Sequence, residues 1–170
     1  MTDRTAALFA DLDVEIESTR RILSAVPWDQ ASWRPHERSM PLGSLAIHVA
    51  TLPAFGTQSL QSEGVDMADL RRPPASVEST DDLVATWEGY VGTLRDALSE
   101  AADEHLDGTW TLTAGGHTLS AAPRHLTVRR WTLNHLIHHR GQLTVYLRLL
   151  GVPVPGVYGP SADDRLRATS

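Results

Sequence analysis

Four long stretches of this sequence repeat apolar residues every three or four positions, and this pattern constrains the fold most strongly. The stretches cover residues 3–26, 41–64, 80–102 and 123–150. Such spacing is typical of amphipathic helices that bury one face. Four such helices predict an all-α four-helix bundle, and the loops between them are long enough for crossover connections, so up-down-up-down order is not required. The sequence has no internal repeat, and its 170 residues suit a single domain spanning residues 1–170.

Helix-terminating residues mark the ends of the first three stretches. Pro27 stops the first helix, and the second starts near Pro41, with Ser39 as its predicted N-cap. Ser79 or Thr80 can cap the third helix, because a hydroxyl oxygen there accepts a hydrogen bond from the first turn.

The apolar pattern changes between the third and fourth helices. In "TWTLTAGGHTLS" the apolar residues alternate around a Gly-Gly turn, which predicts a β-hairpin with strands 109–113 and 117–120. "DMADLRRPPASVES" is predicted to be a linker with a Pro-Pro stop at residues 73–74. Gly151 and Pro153 end the fourth helix, and the tail beyond them is predicted to be irregular.

Composition excludes several classes of function. A net charge of −6 argues against a nucleic-acid-binding surface, which needs clustered Lys and Arg. The chain has no cysteine, so any metal must be held by His, Asp or Glu. The N-terminus does not have the pattern of a signal peptide, and no apolar run is long enough to span a membrane. We therefore expect a soluble cytoplasmic protein, and its charge does not argue against small-molecule chemistry.

The stretch "NHLIHHRGQL" contains three of the eight histidines, at positions 135, 138 and 139. At about 100° per residue, a helical wheel places the apolar stripe of the fourth helix close to His135. His139 lies about 40° away within that stripe, whereas His138 lies at its margin. The pair His135 and His139 is separated by one helical turn, so both rings can bind one metal ion.

A third histidine, His48, belongs to the apolar stripe of the second helix. A single buried histidine is more often a hydrogen-bonded core residue than a ligand. Three inward imidazoles on two helices of one small bundle favour a divalent metal, which binds neutral rings that would otherwise repel one another when protonated. The sequence contains no HExxH and no Glu-x-x-His pair, which excludes zincins and di-iron carboxylate bundles.

Other polar residues of the fourth helix allow two interpretations. Gln142 could orient a ligand, although a buried amide bonded to another helix is favoured. Asn134 and His138 could support the ligands from outside. Arg140 faces away from the predicted stripe, which favours a helix surface or a subunit contact.

The sequence also predicts positions for several other polar and aromatic residues. Trp131 and Tyr146 are expected in the core. The loop before the second helix could rim a pocket through Trp33, His36 and Arg38. Asp163 and Asp164 are expected to be solvated charges of the tail rather than a fourth ligand.

Motifs over nearly the whole chain resemble the DinB family of damage-inducible proteins. These are "WRPHERSM", "LGSLAIHVATLP", "TWTLTAGGHTLSAAPR" and "LNHLIHHRGQLTVYLRLLGVPVPGVYGPSADD". The resemblance implies a four-helix bundle with up-down-down-up order and, in many members, a homodimer. It also implies a zinc or nickel ion bound by His48, His135 and His139.

The same resemblance suggests a reaction class. The family is similar to thiol-dependent S-transferases and to a mycothiol-dependent maleylpyruvate isomerase, in which the metal activates the thiol as a thiolate. We therefore expect a metal-dependent transferase that uses a low-molecular-weight thiol and a small-molecule substrate. The alternative is a non-catalytic, stress-associated dimer that binds metal. No catalytic residue is assigned from the sequence.

Overall fold

Helices form most of the computed structural model, which describes residues 2–70 and 76–168. The helices are α1 (Asp3–Leu8), α2 (Leu12–Ser24), α3 (Leu42–Gln61), α4 (Thr80–Glu100), α5 (Asp103–Asp107), α6 (Arg124–Val128), α7 (His135–Leu149) and α8 (Ala162–Ala168). A π-helical segment, Arg129–Asn134, joins α6 to α7. The strands are β1 (Gly64–Asp66), β2 (Thr109–Ala114) and β3 (His117–Pro123). The Pro-Pro stop predicted at residues 73–74 lies outside the described residues.

The first predicted helix is interrupted between α1 and α2, so the prediction of one continuous helix is wrong. The guanidinium of Arg129 donates to the carbonyl oxygen of Leu8 and to the carboxylate of Asp11. In a continuous helix that carbonyl would accept from the N–H of Leu12, which donates instead to the carbonyl of Phe9. A side chain from a distant segment has therefore replaced one helical hydrogen bond.

The fourth predicted helix is present from residue 124 to residue 149, with its π-helical segment near the start. Its predicted end is confirmed. Gly151 has a φ of 72°, and its N–H donates to the carbonyl of Arg148, while that of Val152 donates to Leu147. These two bonds form a Schellman motif, in which glycine is favoured because its φ is positive.

The N-terminal caps match the predictions in one helix and differ in the other. Ser79 caps α4, because its hydroxyl oxygen accepts from the N–H of Asp82 at 3.0 Å. The predicted cap Ser39 is wrong, since α3 begins one residue after Pro41 and has no side-chain cap. Ser39 lies instead in a turn, where its N–H donates to the carbonyl of His36.

The predicted hairpin is confirmed, and a further strand joins it. Gly115 and Gly116 form its two-residue turn with φ values of 56° and 81°. β1 pairs in parallel with β2 and makes a three-stranded sheet in the order β1-β2-β3. A Cβ built on Gly64 would lie 2.6 Å from the carbonyl oxygen of Thr111, so this close pairing requires glycine. The pairing also ends α3 earlier than the periodicity predicts.

The core lies between α2, α3, α4 and α7. The most buried residues of α7 include Leu136, Leu143 and Leu147, which lie about 100° around the helix from His135. Arg140 belongs to the same face and is only 2% exposed, so its predicted place on the surface is wrong. Its guanidinium pairs with the carboxylate of Glu15 on α2 at 2.6 Å.

The C-terminal segment is ordered, contrary to the prediction of an irregular tail with solvated charges. Asp163 accepts from the guanidinium of Arg148 at 2.5 Å and from the N–H of Val154. Asp164 accepts from the N–H groups of Gly156 and Ser161. These bonds hold α8 and its preceding loop on the end of α7. Among the described residues, no helix has the length and apolar character needed to cross a membrane.

Candidate metal centre

Three histidines from two helices converge at one point of the structure. His48 projects from α3, and His135 and His139 project from α7 one turn apart. The Nε2 atom of His135 lies 3.4 Å from Nε2 of His48 and 2.8 Å from Nε2 of His139. One ring nitrogen from each residue lies within 4.8 Å of the other two. The structure therefore brings together the three residues that the sequence analysis selected.

Burial favours the neutral form of His48 and His135. It lowers the pKa of His48 from the usual 6.5 to about 4, with a further contribution from the charges of His139 and His135. Burial also lowers the pKa of His135, again with help from His139. A neutral imidazole has a free lone pair on one nitrogen, which is the form that binds a metal ion. The donor set thus fits a divalent cation, which the three-His group could hold.

Gln142 fixes which nitrogen of His139 faces the cluster. Its Oε1 atom lies 2.7 Å from Nδ1 of His139. An amide oxygen can only accept, so Nδ1 must carry the proton and Nε2 has the lone pair that points toward His135. The favoured prediction of a buried amide bonded to another helix is wrong, since Gln142 is exposed and bonds within α7.

The remaining predicted residues occupy varied positions around the cluster. Trp131 contacts His135 edge-on with a centroid distance of 6.5 Å and is half-buried, whereas Tyr146 is buried as predicted. His138 is exposed, as its marginal phase predicts, and its ring packs on His139. Asn134 is exposed at the end of the π-helical segment.

The helical wheel predicts that the His pair lies at the centre of the buried stripe, and this placement is wrong. The pair lies on the flank of the stripe, and both rings are half-buried. The helical wheel placed Arg140 on the solvent side of α7. In the structure Arg140 bonds to Glu15 on α2, so the buried face of α7 includes Arg140 and is centred away from His135. Because the histidine cluster lies on the flank of the buried stripe, small molecules can reach it.

A cleft of about 450 Å³ opens beside His139, and we call it the His139 cleft. Its walls are apolar residues and a few polar ones: Met40, Leu45, Val145, Tyr146, Arg38, Ser39 and Gln142. Of the three loop residues predicted to rim a pocket, Arg38 lines the cleft. Trp33 supports it from behind through an edge-on contact with Tyr146, and His36 is exposed. Sequence reasoning missed Met40 and Val145, which no periodic signal distinguishes from surface residues.

In metal-free protein we expect the free energy of unfolding to fall as the pH drops from 6.5 to about 4. Since the pKa of His48 is lower in the folded state, the unfolded chain binds the proton more readily. The contribution of neutral His48 to the free energy of unfolding is therefore complete above pH 6.5. It is lost as the pH falls to about 4, the pKa of His48 in the folded state. Urea unfolding of the wild type and His48→Gln across this range measures the effect. Equal pH slopes for the two proteins would contradict it.

Comparison with known proteins assigns the fold and the family. A family model described as the DinB family matches residues 1–166. The uncharacterized protein YrdA of Bacillus subtilis is 24% identical over 159 residues, covering 89% of this chain and 86% of YrdA. A DinB-like crystal structure from Bacillus cereus is 25% identical with a TM-score of 0.67, covering 89% of this chain and 95% of that one. A second, from Bacillus subtilis, is 21% identical with a TM-score of 0.65, covering 86% and 96%. The chain belongs to the DinB family.

Proposed function

We propose that this protein is a metal-dependent transferase that binds zinc or nickel through His48, His135 and His139 and uses a low-molecular-weight thiol. The observation that carries the proposal is the convergence of three imidazole rings beside an open cleft. The bound metal would supply positive charge that favours the thiolate form of a thiol. The chain contains no cysteine, so the thiol must arrive as a cosubstrate.

Residues around the three histidines orient the rings and provide a surface for the substrate. Gln142 orients the ring of His139, and Trp131, which also packs near Phe55, covers His135 from one side. The apolar wall of the His139 cleft lies on the other side and offers a surface for the second substrate. In the transfer, the thiol sulfur forms a bond to an electrophilic carbon, the leaving group departs with its electron pair, and the thiol proton passes to solvent.

We further propose that the chain is a single four-helix-bundle domain that forms a homodimer. Each of α2, α3, α4 and α7 packs on two of the others, which supports a four-helix bundle. The family match over residues 1–166 supports one domain, and the motif resemblance supports up-down-down-up order and a homodimer.

Turnover assays with zinc- and nickel-loaded protein test the proposal. Glutathione, coenzyme A and N-acetylcysteine serve as thiols, and monochlorobimane serves as a fluorescent electrophile that releases chloride. We expect metal-dependent conjugation above background with at least one thiol, and its loss in His48→Ala. Chelation that lowers the melting temperature without any thiol-dependent turnover would favour the non-catalytic alternative.

Replacing Gln142 with alanine should lower metal affinity by about 10- to 100-fold, because outer partners of ligating histidines commonly contribute that much. The variant frees the His139 ring to rotate and to place its proton on either nitrogen. Competition titration with a zinc-binding dye measures the affinity. Thr144→Ala is the matched control, since the Thr144 hydroxyl donates to the carbonyl of Gly141 on the same helix. An unchanged affinity in Gln142→Ala would show that the hydrogen bond has no role in binding.

A further inference from the structure

The His139 cleft combines an apolar wall with a single charged residue. Met40, Leu45, Val145 and Tyr146 supply the apolar surface, and Arg38 is the one Arg or Lys among the described lining residues. No carboxylate lines the cleft, although the whole chain carries a net charge of −6. Arg38 is therefore the side chain at the cleft that can pair with an anionic ligand.

The guanidinium of Arg38 is available for a ligand. It approaches the carboxylate of Glu37 at 4.0 Å, and the two side chains are 88% and 81% exposed. An exposed pair at this distance contributes almost nothing, because water screens both charges. A ligand carboxylate that also gains apolar contacts can displace Glu37 easily.

The loop that presents Arg38 is fixed at both ends. The N–H of Leu42 donates to the carbonyl of Trp33 at 2.8 Å, and the N–H of Arg38 donates to Nδ1 of His36 at 3.2 Å. The hydroxyl of Tyr146 donates to the carbonyl of Met40 at 3.1 Å, which ties the loop to α7. The backbone that presents Arg38 is thus tied to the helix that carries His135 and His139, so ordering on binding is confined to the exposed Arg38 side chain.

We propose that the His139 cleft binds amphipathic carboxylates, with the carboxylate on Arg38 and the apolar body against Leu45, Val145 and Tyr146. This inference rests on the proposed function, since it names the class of substrate that the same site accepts. A single guanidinium matches a single carboxylate, and the cleft volume suits a molecule of about ten to fifteen non-hydrogen atoms. The end of the ligand away from Arg38 then lies toward His139.

The test is a titration followed by two-dimensional ¹⁵N NMR, with 4-phenylbutyrate and the neutral 4-phenylbutanamide as probes. Zinc-loaded and chelated protein are both used, so that binding is measured without turnover and without a metal. We expect 4-phenylbutyrate to shift the backbone amides of Met40 and Val145 and the side-chain amide of Gln142 in both forms. Arg38→Gln should weaken its binding by about fivefold or more and leave the amide probe unchanged.

Arg34→Gln is the matched control, because Arg34 is exposed in the same loop and does not line the cleft. It should bind 4-phenylbutyrate as the wild type does. Equal binding by Arg38→Gln, no shifts in the cleft at about 20 mM probe, or shifts centred on the separate cleft beside Arg130 and Trp131 would each overturn the inference. Absence of turnover or of metal would overturn the proposed function and leave these shifts unaffected.

Discussion

His48→Ala is expected to lose stoichiometric zinc or nickel, while His138→Ala keeps one equivalent. The two substitutions remove the same side chain, but the ring of His48 lies within the cluster and that of His138 is exposed outside it. Purification in the absence of chelator, followed by elemental analysis, measures the metal content. Metal retained in His48→Ala, or lost in His138→Ala, would contradict the assignment of ligands.

The same pair of variants should differ in thermal stability. A metal at about a thousand times its dissociation constant stabilises the folded state by about 4 kcal/mol. In a domain of this size that corresponds to a rise of roughly 10 °C in the melting temperature. Wild type and His138→Ala should show this rise on adding zinc, and His48→Ala should show almost none. Far-UV circular dichroism checks that each variant is folded before the comparison.

Breaking the buried ion pair of Arg140 and Glu15 is expected to be the most destabilising single change away from the cluster. The two side chains are 2% and 5% exposed, and their charged atoms lie 2.6 Å apart. Removing one partner leaves an uncompensated charge in the core, which typically costs about 3–5 kcal/mol. Arg140→Met and Glu15→Leu should each lower the free energy of unfolding by about that amount, as measured by urea denaturation.

The double variant distinguishes a charge effect from a packing effect. With both charges replaced by apolar groups, no buried charge lacks its partner, so the combined loss should be smaller than the sum of the two single losses. Tyr158 contributes to the same network, since its hydroxyl donates to Glu15 and accepts from Arg140. Additive losses in the double variant would indicate that the pair acts through side-chain volume alone.

Local patterns selected the three histidines because each selection depends on spacing within a single helix. One turn of helix separates His135 from His139, and His48 follows the apolar spacing of its own helix. The rotation of α7 in the core was mispredicted, because the wheel assumes that a charged residue faces solvent. Arg140 is buried with a partner 125 residues earlier, and no local window of sequence can reveal such a pair.

The other differences have the same origin in contacts between distant segments. The break after α1 depends on Arg129, which replaces a helical hydrogen bond 121 residues away. β1 is only three residues long and exists because β2 provides its hydrogen-bonding partner. Neither feature has a periodic signal of its own. The cleft is likewise formed by a loop and a helix that meet only in the folded chain.

The distribution of the three histidines along the chain has a kinetic consequence. His135 and His139 are adjacent as soon as α7 forms, whereas 87 residues separate His135 from His48. The complete cluster therefore exists only after α3 and α7 have docked and this long loop has closed. A metal ion that needs all three rings therefore binds the docked chain and not the isolated α7 helix. Once bound, it would cross-link α3 and α7 and so oppose their separation during unfolding.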